Sequence, residues 1–417
     1  MQGESVRALV IGTGKIGCGY LTPMLRASGW EVVLAARTVA TTKRIRRARG
    51  YDIRITHPPP SVGPSADGVP ASTVHKVTGV DAVTVGSAAF ATALAHADLV
   101  CTAVGVRNVA ALARPLAHAL AACPHRVPLD VWVVENDDCA GVLRAEVQRS
   151  VDGTERRLPP VGFAGAVASV AVGRGSWAHA GRPEFVGDDV RDLAVDRTRT
   201  LTPISALPGV HGTEQYPARL REKLYVFNAG HAICAYLGWL RGHDTVSAAI
   251  FDPVLRPIVV GCMLESRRAL VRAHPELGAE VEAPVAHALC RFADHELADP
   301  VIRVARDPIR KLSPHDRLLG PVELIRTAVG DVPAYLSLSI AGALLYRHEA
   351  DQDAIALGQR LADEGVMAVL NDVCGLTPDD PMSDAVASRY RGFIIDGEQA
   401  VFPAAHGRDL VGPRPVR

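Results

Sequence analysis

The sequence predicts an α/β fold in which an N-terminal, doubly wound parallel sheet is followed by a mostly α-helical C-terminal domain. Three observations predict it. An apolar strand runs directly into a glycine-rich turn and a helix near the N-terminus, further short apolar strands recur up to residue 134, and long helical periods replace them after residue 208. Because 417 residues are too many for one ordinary core, we expect one domain over residues 1–208 and another over residues 209–417.

The composition excludes several classes of protein. The 45 basic and 45 acidic residues give a formal net charge of zero, which argues against nucleic acid or a membrane surface as a partner bound by bulk electrostatics. No stretch of about 18 apolar residues without charges or turn residues occurs, and the first apolar strand is too short for a signal peptide. The eight cysteines form no Cys-x-x-Cys pair. We therefore expect no metal site, no disulfide framework and a cytoplasmic protein.

The glycine-rich turn, "GTGKIG", directly follows the apolar run "ALVI". Gly12, Gly14 and Gly17 have the spacing G-x-G-x-x-G, and a helical stretch and a second strand, "EVVLAA", complete the context that a dinucleotide-binding turn requires. The first glycine makes the tight turn, the second lets the backbone approach the pyrophosphate, and the third lets helix and strand pack closely. We predict a Rossmann-type cofactor site that includes Lys15 and Ile16 between these glycines.

The end of the second strand bears on the choice of cofactor. An NAD site usually has Asp or Glu there to bind the ribose 2′-hydroxyl, whereas this chain has Ala36 followed by Arg37. Arg37 could pair with a 2′-phosphate in the bidentate manner that guanidinium favours, and the basic run "KRIRRAR" follows at residues 43–49. We predict NADP(H) as the preferred cofactor, with NAD(H) possible. The alternative is that these basic residues only form a solvated face.

Two more buried strands, "ADLVCTAVG" and "DVWVVEN", run into glycine or polar residues. In a doubly wound sheet the carboxyl ends of such strands face the ligand crevice. We therefore expect Gly105 and Asn108 near the cofactor, and Glu135 and Asn136 near its reacting end, with Glu135 counted among the cofactor-binding residues.

The segment "EKLYVFNAGHAICAYLGWL", residues 222–240, is the most unusual part of the C-terminal half. Almost every residue is apolar, as in a helix buried on all sides, yet Lys223, Asn228 and His231 interrupt it. One interpretation is that Lys223 extends to solvent from the helix end while Asn228 and His231 are satisfied core residues. The other is that the three residues act together.

The spacing Lys, four residues, Asn, two residues, His matches an active-site signature. With it, the chain resembles the polyol-specific long-chain dehydrogenases, and within them the mannitol-phosphate branch. The segments "GTGKIGCGY", "VVEN", "GHDT" and "RVARDPIRKLSPHDRLLGP" are similar to further blocks of that family and occur in the same order over most of the chain.

The resemblance implies a metal-independent hydride transfer between a secondary alcohol and a ketone on a sugar phosphate, a polyol or a related polyhydroxylated metabolite. Lys223 would be the general base that takes the alcohol proton and returns it during reduction. Asn228 and Asn136 would hydrogen-bond the reacting oxygen, and His231 would orient the substrate and support the lysine.

Elementary chemistry agrees with these roles. A secondary alcohol gives up hydride only as its O–H proton leaves, so a base must lie within hydrogen-bond reach. Lysine, with an unperturbed pKa of about 10.4, is a poor base at neutral pH. An apolar helix environment would lower this pKa by desolvating the ammonium group. Asn228 and His231 are three residues apart and share a face of a helix, and Lys223 lies one to two turns earlier.

The resemblance also implies residues that would bind the substrate. An arginine of the downstream block would hold the polyol chain, with Arg303 as the first candidate and Arg306 as the second. The chain departs from the family in "VGFAGAVASVAVGRG", where Gly165, Ser169 and Val170 replace the charged residues of a "VDRI"-like segment.

Two other functions are compatible with the same features. One is an epimerase that oxidises and re-reduces a single carbinol with a retained cofactor, and the other is a sensor that binds NADP(H) without turnover. For partners, we expect a small-molecule substrate and a monomer or a small homo-oligomer.

Overall fold

The computed structural model of the chain describes residues 6–57, 72–123, 128–155, 157–175, 177, 183–204, 206–396, 399–402 and 410–413. The chain divides into two compact units with a boundary between Leu220 and Arg221. We expected the boundary near residue 208. The last strand of the first unit, Val210–Thr213, explains the difference, because it pairs with the preceding strand and keeps this segment in the large sheet.

Twelve strands belong to the described part of the first unit. They are β1 (Arg7–Ile11), β2 (Glu31–Ala36), β3 (Gly50–Thr56), β4 (Ser72–Thr78), β5 (Asp81–Thr84), β6 (Leu99–Thr102), β7 (Leu129–Val134), β8 (Val161–Ala168), β9 (Val172–Arg174), β10 (Glu184–Asp188), β11 (Leu193–Asp196) and β12 (Val210–Thr213). The helices are α1 (Thr22–Ala27), α2 (Val39–Ala48), α3 (Ala88–Ala95), α4 (Val106–Val109), α5 (Ala113–Ala121) and α6 (Ala140–Arg149), and α7 (Tyr216–Glu222) contains the boundary between the units.

The large sheet has the strand order β12-β11-β8-β7-β6-β1-β2-β5 and is parallel except for the antiparallel pair of β8 and β11. Helices cover both faces. Because successive side chains of a strand point to opposite faces, Val10 joins the core that α1 and α2 cover, while Leu9 joins the core that α3, α5 and α6 cover. Burial on both faces explains why strands such as β7 are continuous apolar runs.

A smaller sheet with the order β4-β3-β10-β9 accompanies the large one. It mixes parallel and antiparallel pairs, since β10 is parallel to β3 while β3–β4 and β9–β10 are antiparallel. The rings of Tyr51, Trp177 and Phe185 cluster there with centroids 5.1 to 6.2 Å apart.

The second unit is mostly helical, as the sequence predicted. Its helices are α8 (Ala229–Leu240), α9 (Val246–Phe251), α10 (Leu255–Ala273), α11 (Glu282–Phe292), α12 (Val301–Ala305), α13 (Pro308–Lys311), α14 (Leu319–Ala328), α15 (Ala334–Leu344), α16 (Gln352–Asp363), α17 (Val366–Asp372) and α18 (Pro381–Gly392). Near the C-terminus β13 (Ile394–Asp396), β14 (Gln399–Phe402) and β15 (Leu410–Pro413) form an antiparallel sheet.

Helix α8 lies at the centre of this unit and contacts α9, α10, α12 and α15. Contacts on several sides explain why α8 is apolar around nearly its whole circumference. The predicted fold class, a mostly parallel α/β sheet followed by a helical domain, is confirmed. Within the described ranges, none of the helices combines the length and apolar composition that crossing a membrane requires.

Candidate active site

The glycine-rich turn of the first unit follows β1. Gly12 has a φ of 122°, and a Cβ there would lie 2.1 Å from the carbonyl oxygen of Ala103. A Cβ on Gly17 would lie 1.9 Å from the carbonyl oxygen of Gly12, whereas a Cβ on Gly14 would meet no atom within 4 Å. Packing therefore requires the first and third glycines. The open surroundings of the second fit a backbone that a pyrophosphate approaches closely.

The residues between these glycines make contacts within the first unit. Lys15 donates its ammonium group to the carbonyl oxygen of Gly173. The Ile16 side chain packs against the core under α1. A π-helical turn, Gly17–Leu21, then leads into α1.

Arg37 lies one residue after β2, exposed beside the N-terminus of α2. Within the described residues, no hydrogen bond or ion pair involves its side chain. Two arginines of the downstream run are engaged by the protein instead: Arg44 donates to the carbonyl oxygen of Trp177 at 2.8 Å, and Arg46 pairs with Asp81 at 3.0 Å. Arg37 is thus the better candidate for an anionic group at the strand end.

The turn after β6 brings together three predicted cofactor-site residues, Gly105, Asn108 and Glu135. The buried carboxylate of Glu135 accepts hydrogen bonds from the backbone N–H groups of Val104, at 2.8 Å, and Gly105, at 2.9 Å. The Asn108 side-chain amide donates to the carbonyl oxygen of Val104 at 2.8 Å. Glu135 and Asn108 therefore hold one turn together, and the φ of 87° at Gly105 shows why glycine is needed there. The side chain of Asn136, one residue later, is exposed.

The helix that carries Lys223, Asn228 and His231 is not wound uniformly. Residues Lys223–Asn228 form a π-helical turn between α7 and α8. An α-helix would place residues five apart about 140° from each other around the axis. The i→i+5 hydrogen bonds of a π-helix bring Lys223 and Asn228 to the same side, and His231 follows three residues later in α8. The sequence predicted a helix here, and the structure shows that its winding changes at the motif itself.

Several contacts anchor the π-helical turn. Glu222, directly before it, accepts a hydrogen bond of 2.8 Å from Arg267. The same guanidinium, 1% exposed, donates to the carbonyl oxygens of Glu280 and Leu277. On the turn itself, Tyr225 packs so closely on α14 that a Cβ on Gly320 would lie 2.5 Å from its ring. Lys223, Asn228 and His231 are half-buried, so each retains some access to solvent.

Asp299 lies beside His231, with Oδ2 at 3.3 Å from the ring nitrogen Nε2. The other oxygen of this carboxylate pairs with the guanidinium of Arg303. Burial acts to raise the pKa of the Asp299 carboxyl group, but the hydrogen bond and charge of His231 and the charge of Arg303 outweigh it and lower the pKa. No pattern in the sequence predicted a role for Asp299. The signal for it was its position four residues before Arg303, at the start of a helix.

The two arginines predicted to hold the substrate differ in their surroundings. Arg303 shares the carboxylate of Asp299 with His231, so the structure brings the first candidate close to one residue of the Lys–Asn–His motif. Arg306 is exposed, and its carbonyl oxygen accepts a hydrogen bond from Lys311. Lys311 is itself buried, and desolvation together with the charges of Arg317 and Arg310 holds its pKa well below the ordinary value.

The chain lacks the family's charged segment around Gly165, and packing explains why a large side chain is absent there. A Cβ on Gly165 would lie 2.3 Å from the ring of Tyr216, so no larger side chain fits unless that ring moves. Tyr216 is fully buried, and its hydroxyl group has no hydrogen-bond partner among the described residues. Val170 is buried as well, and the Ser169 backbone N–H donates to the carbonyl oxygen of Asp192. An aromatic ring thus occupies the space beside β8 at the position where the family has a charged segment.

Comparison with known proteins gives matches over both units. Residues 6–160 match the mannitol dehydrogenase Rossmann domain, and residues 216–391 match the mannitol dehydrogenase C-terminal domain. The mannitol-1-phosphate 5-dehydrogenase of Bacillus licheniformis is 30% identical over 391 residues, which cover 92% of this chain and 99% of that protein. The protein of the same name from Bacillus pumilus is 27% identical over 390 residues, covering 91% and 98%.

Solved structures show the same fold. Pseudomonas fluorescens mannitol 2-dehydrogenase, in a ternary complex with NAD and D-mannitol, matches with a TM-score of 0.67 at 16% identity, over 93% of this chain and 92% of that one. A D-sorbitol dehydrogenase in substrate-free form matches with a TM-score of 0.66 at 14% identity, over 93% of both chains. The two domain matches in order and the 30% identity over nearly a whole relative show that this chain belongs to the mannitol dehydrogenase family of oxidoreductases.

Proposed function

We propose that this protein is a metal-independent dehydrogenase that prefers NADP(H) and interconverts a secondary alcohol and a ketone on a sugar phosphate, a polyol or a related polyhydroxylated metabolite. The observation that carries the proposal is the π-helical turn Lys223–Asn228, which brings a lysine and an amide to one side of the helix with His231 three residues later. Such turns inside α-helices are frequent at functional sites.

In the proposed reaction Lys223 takes the proton of the alcohol during oxidation and returns it during reduction. Asn228 and Asn136 donate hydrogen bonds to the reacting oxygen as it gains negative charge, a contribution of about 2.7–4 kcal/mol per donor in other enzymes. His231 orients the substrate, and Arg303 holds its hydroxyl chain. The bound cofactor supplies or accepts the hydride.

The preference for NADP(H) is the finer part of this proposal. It is supported by Ala36 in place of an acidic residue and by the exposed guanidinium of Arg37 at the end of β2. The related Pseudomonas fluorescens enzyme was solved with NAD. Lys15, Gly105, Asn108 and Glu135 complete the proposed cofactor site through the turns described above.

The substrate class follows from the relatives, which are named for mannitol 1-phosphate. Tyr216 packs against Gly165 where the resemblance implies a charged segment, so we propose the wider class of polyol and sugar phosphate substrates. We also propose that the protein is cytoplasmic and a monomer or small homo-oligomer. Its eight cysteines are free thiols, which suits a reducing compartment.

One experiment tests the proposal directly. Ketose phosphates, free ketoses, uronates and cyclitol ketones are incubated with NADPH or NADH, and oxidation of the cofactor is followed by absorbance. We expect turnover of at least one ketone with NADPH consumed in stoichiometric amounts, which would exclude an epimerase. Absence of turnover across the panel with both cofactors would refute the proposal.

The matched variants are Lys223→Ala and, as a control, Lys76→Ala, which removes an exposed lysine from β4. We expect Lys223→Ala to lower kcat by about 10²–10⁴-fold, while cofactor binding stays nearly unchanged. The control should keep wild-type kcat. Retained turnover in Lys223→Ala would show that another group is the base.

A further inference from the structure

We propose that Asp299 is the positioning residue for His231: its carboxylate holds the imidazole with the hydrogen on Nε2, which leaves Nδ1 to accept a hydrogen bond from a substrate hydroxyl group. The inference deepens the proposed function and rests on it where substrate is concerned. The arrangement of the ring itself is independent of any substrate.

The geometry fixes the ring on two sides. Nε2 of His231 lies 3.3 Å from Oδ2 of Asp299. The flat face of the imidazole stacks on Phe292, with centroids 5.1 Å apart and an angle of 14° between the planes. Phe227, on the π-helical turn, lies 6.1 Å away at 48°. A ring stacked on one face and held at Nε2 presents its remaining nitrogen, Nδ1, in a defined direction.

Charge determines which nitrogen carries the hydrogen. Asp299 is only 8% exposed, and a buried carboxylate must be paired. An ionised carboxylate can only accept hydrogen bonds, so a neutral histidine beside it must donate from Nε2 and keep its lone pair on Nδ1. Arg303 pairs with the other carboxylate oxygen and offsets its charge. Besides these groups, Arg291 lies over the ring of Phe227, with its guanidinium 4.5 Å from the centroid of that ring.

The same unit contains a second group of the same three residue types, which serves as a control. Asp252 pairs with His243 at 2.9 Å and with Arg241 at 2.9 Å, and it also accepts hydrogen bonds from the backbone ahead of α10. This group joins the end of α8 to the start of α10 and contains no residue of the catalytic motif. Asp252→Asn therefore removes an equivalent carboxylate without touching His231.

The first test needs no substrate. Chemical shifts of the ring nitrogens are recorded by NMR on protein labelled with ¹⁵N-histidine, and the His231 signals among the 15 histidines are assigned by their loss in His231→Ala. We expect His231 to carry its hydrogen on Nε2 at neutral pH in the wild type, and to populate both tautomers in Asp299→Asn. Asp252→Asn should leave the His231 signals unchanged. A wild-type ring with the hydrogen on Nδ1 would overturn the inference. Because this measurement uses the wild-type protein, it does not depend on whether an Asp299 variant folds.

The second test is a double-mutant cycle on the reaction. We expect Asp299→Asn to lower kcat by about 10–100-fold, the range seen when groups that orient metal-ligating histidines are removed, with cofactor affinity unchanged. In a His231→Ala background the same substitution should have little further effect, because Asp299 acts through the ring. Equal losses in both backgrounds would overturn the inference. A wild type without turnover would refute the proposed function alone, since the tautomer measurement still decides the role of Asp299.

Discussion

The carboxylate of Glu222 and the guanidinium of Arg267 form an ion pair of 2.8 Å directly before Lys223 of the Lys–Asn–His motif. Arg267 is almost fully buried in α10 and also donates to two backbone carbonyls, so one side chain holds the π-helical turn against the neighbouring helix.

We predict that Arg267→Ala destabilises the protein by about 1.5–3 kcal/mol, because it removes the buried donor from the partly exposed Glu222 and leaves two carbonyls without a donor. Unfolding in urea measures the change. The control is Arg7→Ala, which breaks the half-exposed pair with Glu31 and should cost no more than about 1 kcal/mol. Similar losses in both variants would contradict the structural role of Arg267.

Loss of the hydroxyl group should change the stability of the protein differently at two fully buried tyrosines. The Tyr216 hydroxyl has no partner among the described residues, so we expect Tyr216→Phe to be neutral or stabilising. The Tyr51 hydroxyl donates to the carbonyl oxygen of Cys18 at 2.6 Å, so Tyr51→Phe should cost about 1–3 kcal/mol. Thermal and urea unfolding of the two variants provide the comparison. A clear loss of stability in Tyr216→Phe would reveal a partner for its hydroxyl group.

The cofactor preference depends on Arg37. A hydrogen-bonded guanidinium–phosphate contact is worth about 1.5–3 kcal/mol, so Arg37→Ala should lower kcat/KM for NADPH by about tenfold or more while changing that for NADH little. Arg46→Ala removes the same charge from α2 but breaks a pair with Asp81, and should not alter the preference. A wild type that already prefers NADH would refute the proposed role of Arg37 in the choice of cofactor.

The second unit should lose stability at acidic pH, because Asp252 becomes protonated there. Burial acts to raise its pKa, but hydrogen bonds from His243, the Val254 backbone and Arg241 lower it to about 2. A carboxyl group whose pKa is lower in the folded state than its unfolded value of about 3.9 stabilises the protein above that value. This contribution is lost as the pH falls toward the folded pKa.

The measurement is the free energy of unfolding of the wild type and Asp252→Asn at neutral and at acidic pH. We expect the wild type to be the more stable near pH 7 and the difference to shrink as the pH falls from about 4 to about 2. A difference that stays constant over this range would mean that Asp252 does not titrate as the structure implies.

Local patterns of the sequence were sufficient for much of the fold. Apolar strands, the spacing of Gly12, Gly14 and Gly17, and the helical periods of the C-terminal half predicted a parallel sheet followed by helices, and the structure confirms both. Strand and helix periodicity and tight turns depend on residues close in the chain, which is why they can be read without tertiary information. The Lys–Asn–His spacing belongs to the same class of local signal.

Tertiary structure alone decided how these residues are arranged. The π-helical winding places Lys223 with Asn228, and its anchors, Arg267 among them, come from other helices. The partner of His231 is Asp299, which the chain brings back from far along the sequence, and Glu135 proved to hold a turn of its own unit. Such pairings arise when distant segments pack and their buried polar groups must find partners, and no local spacing specifies which partner each will have.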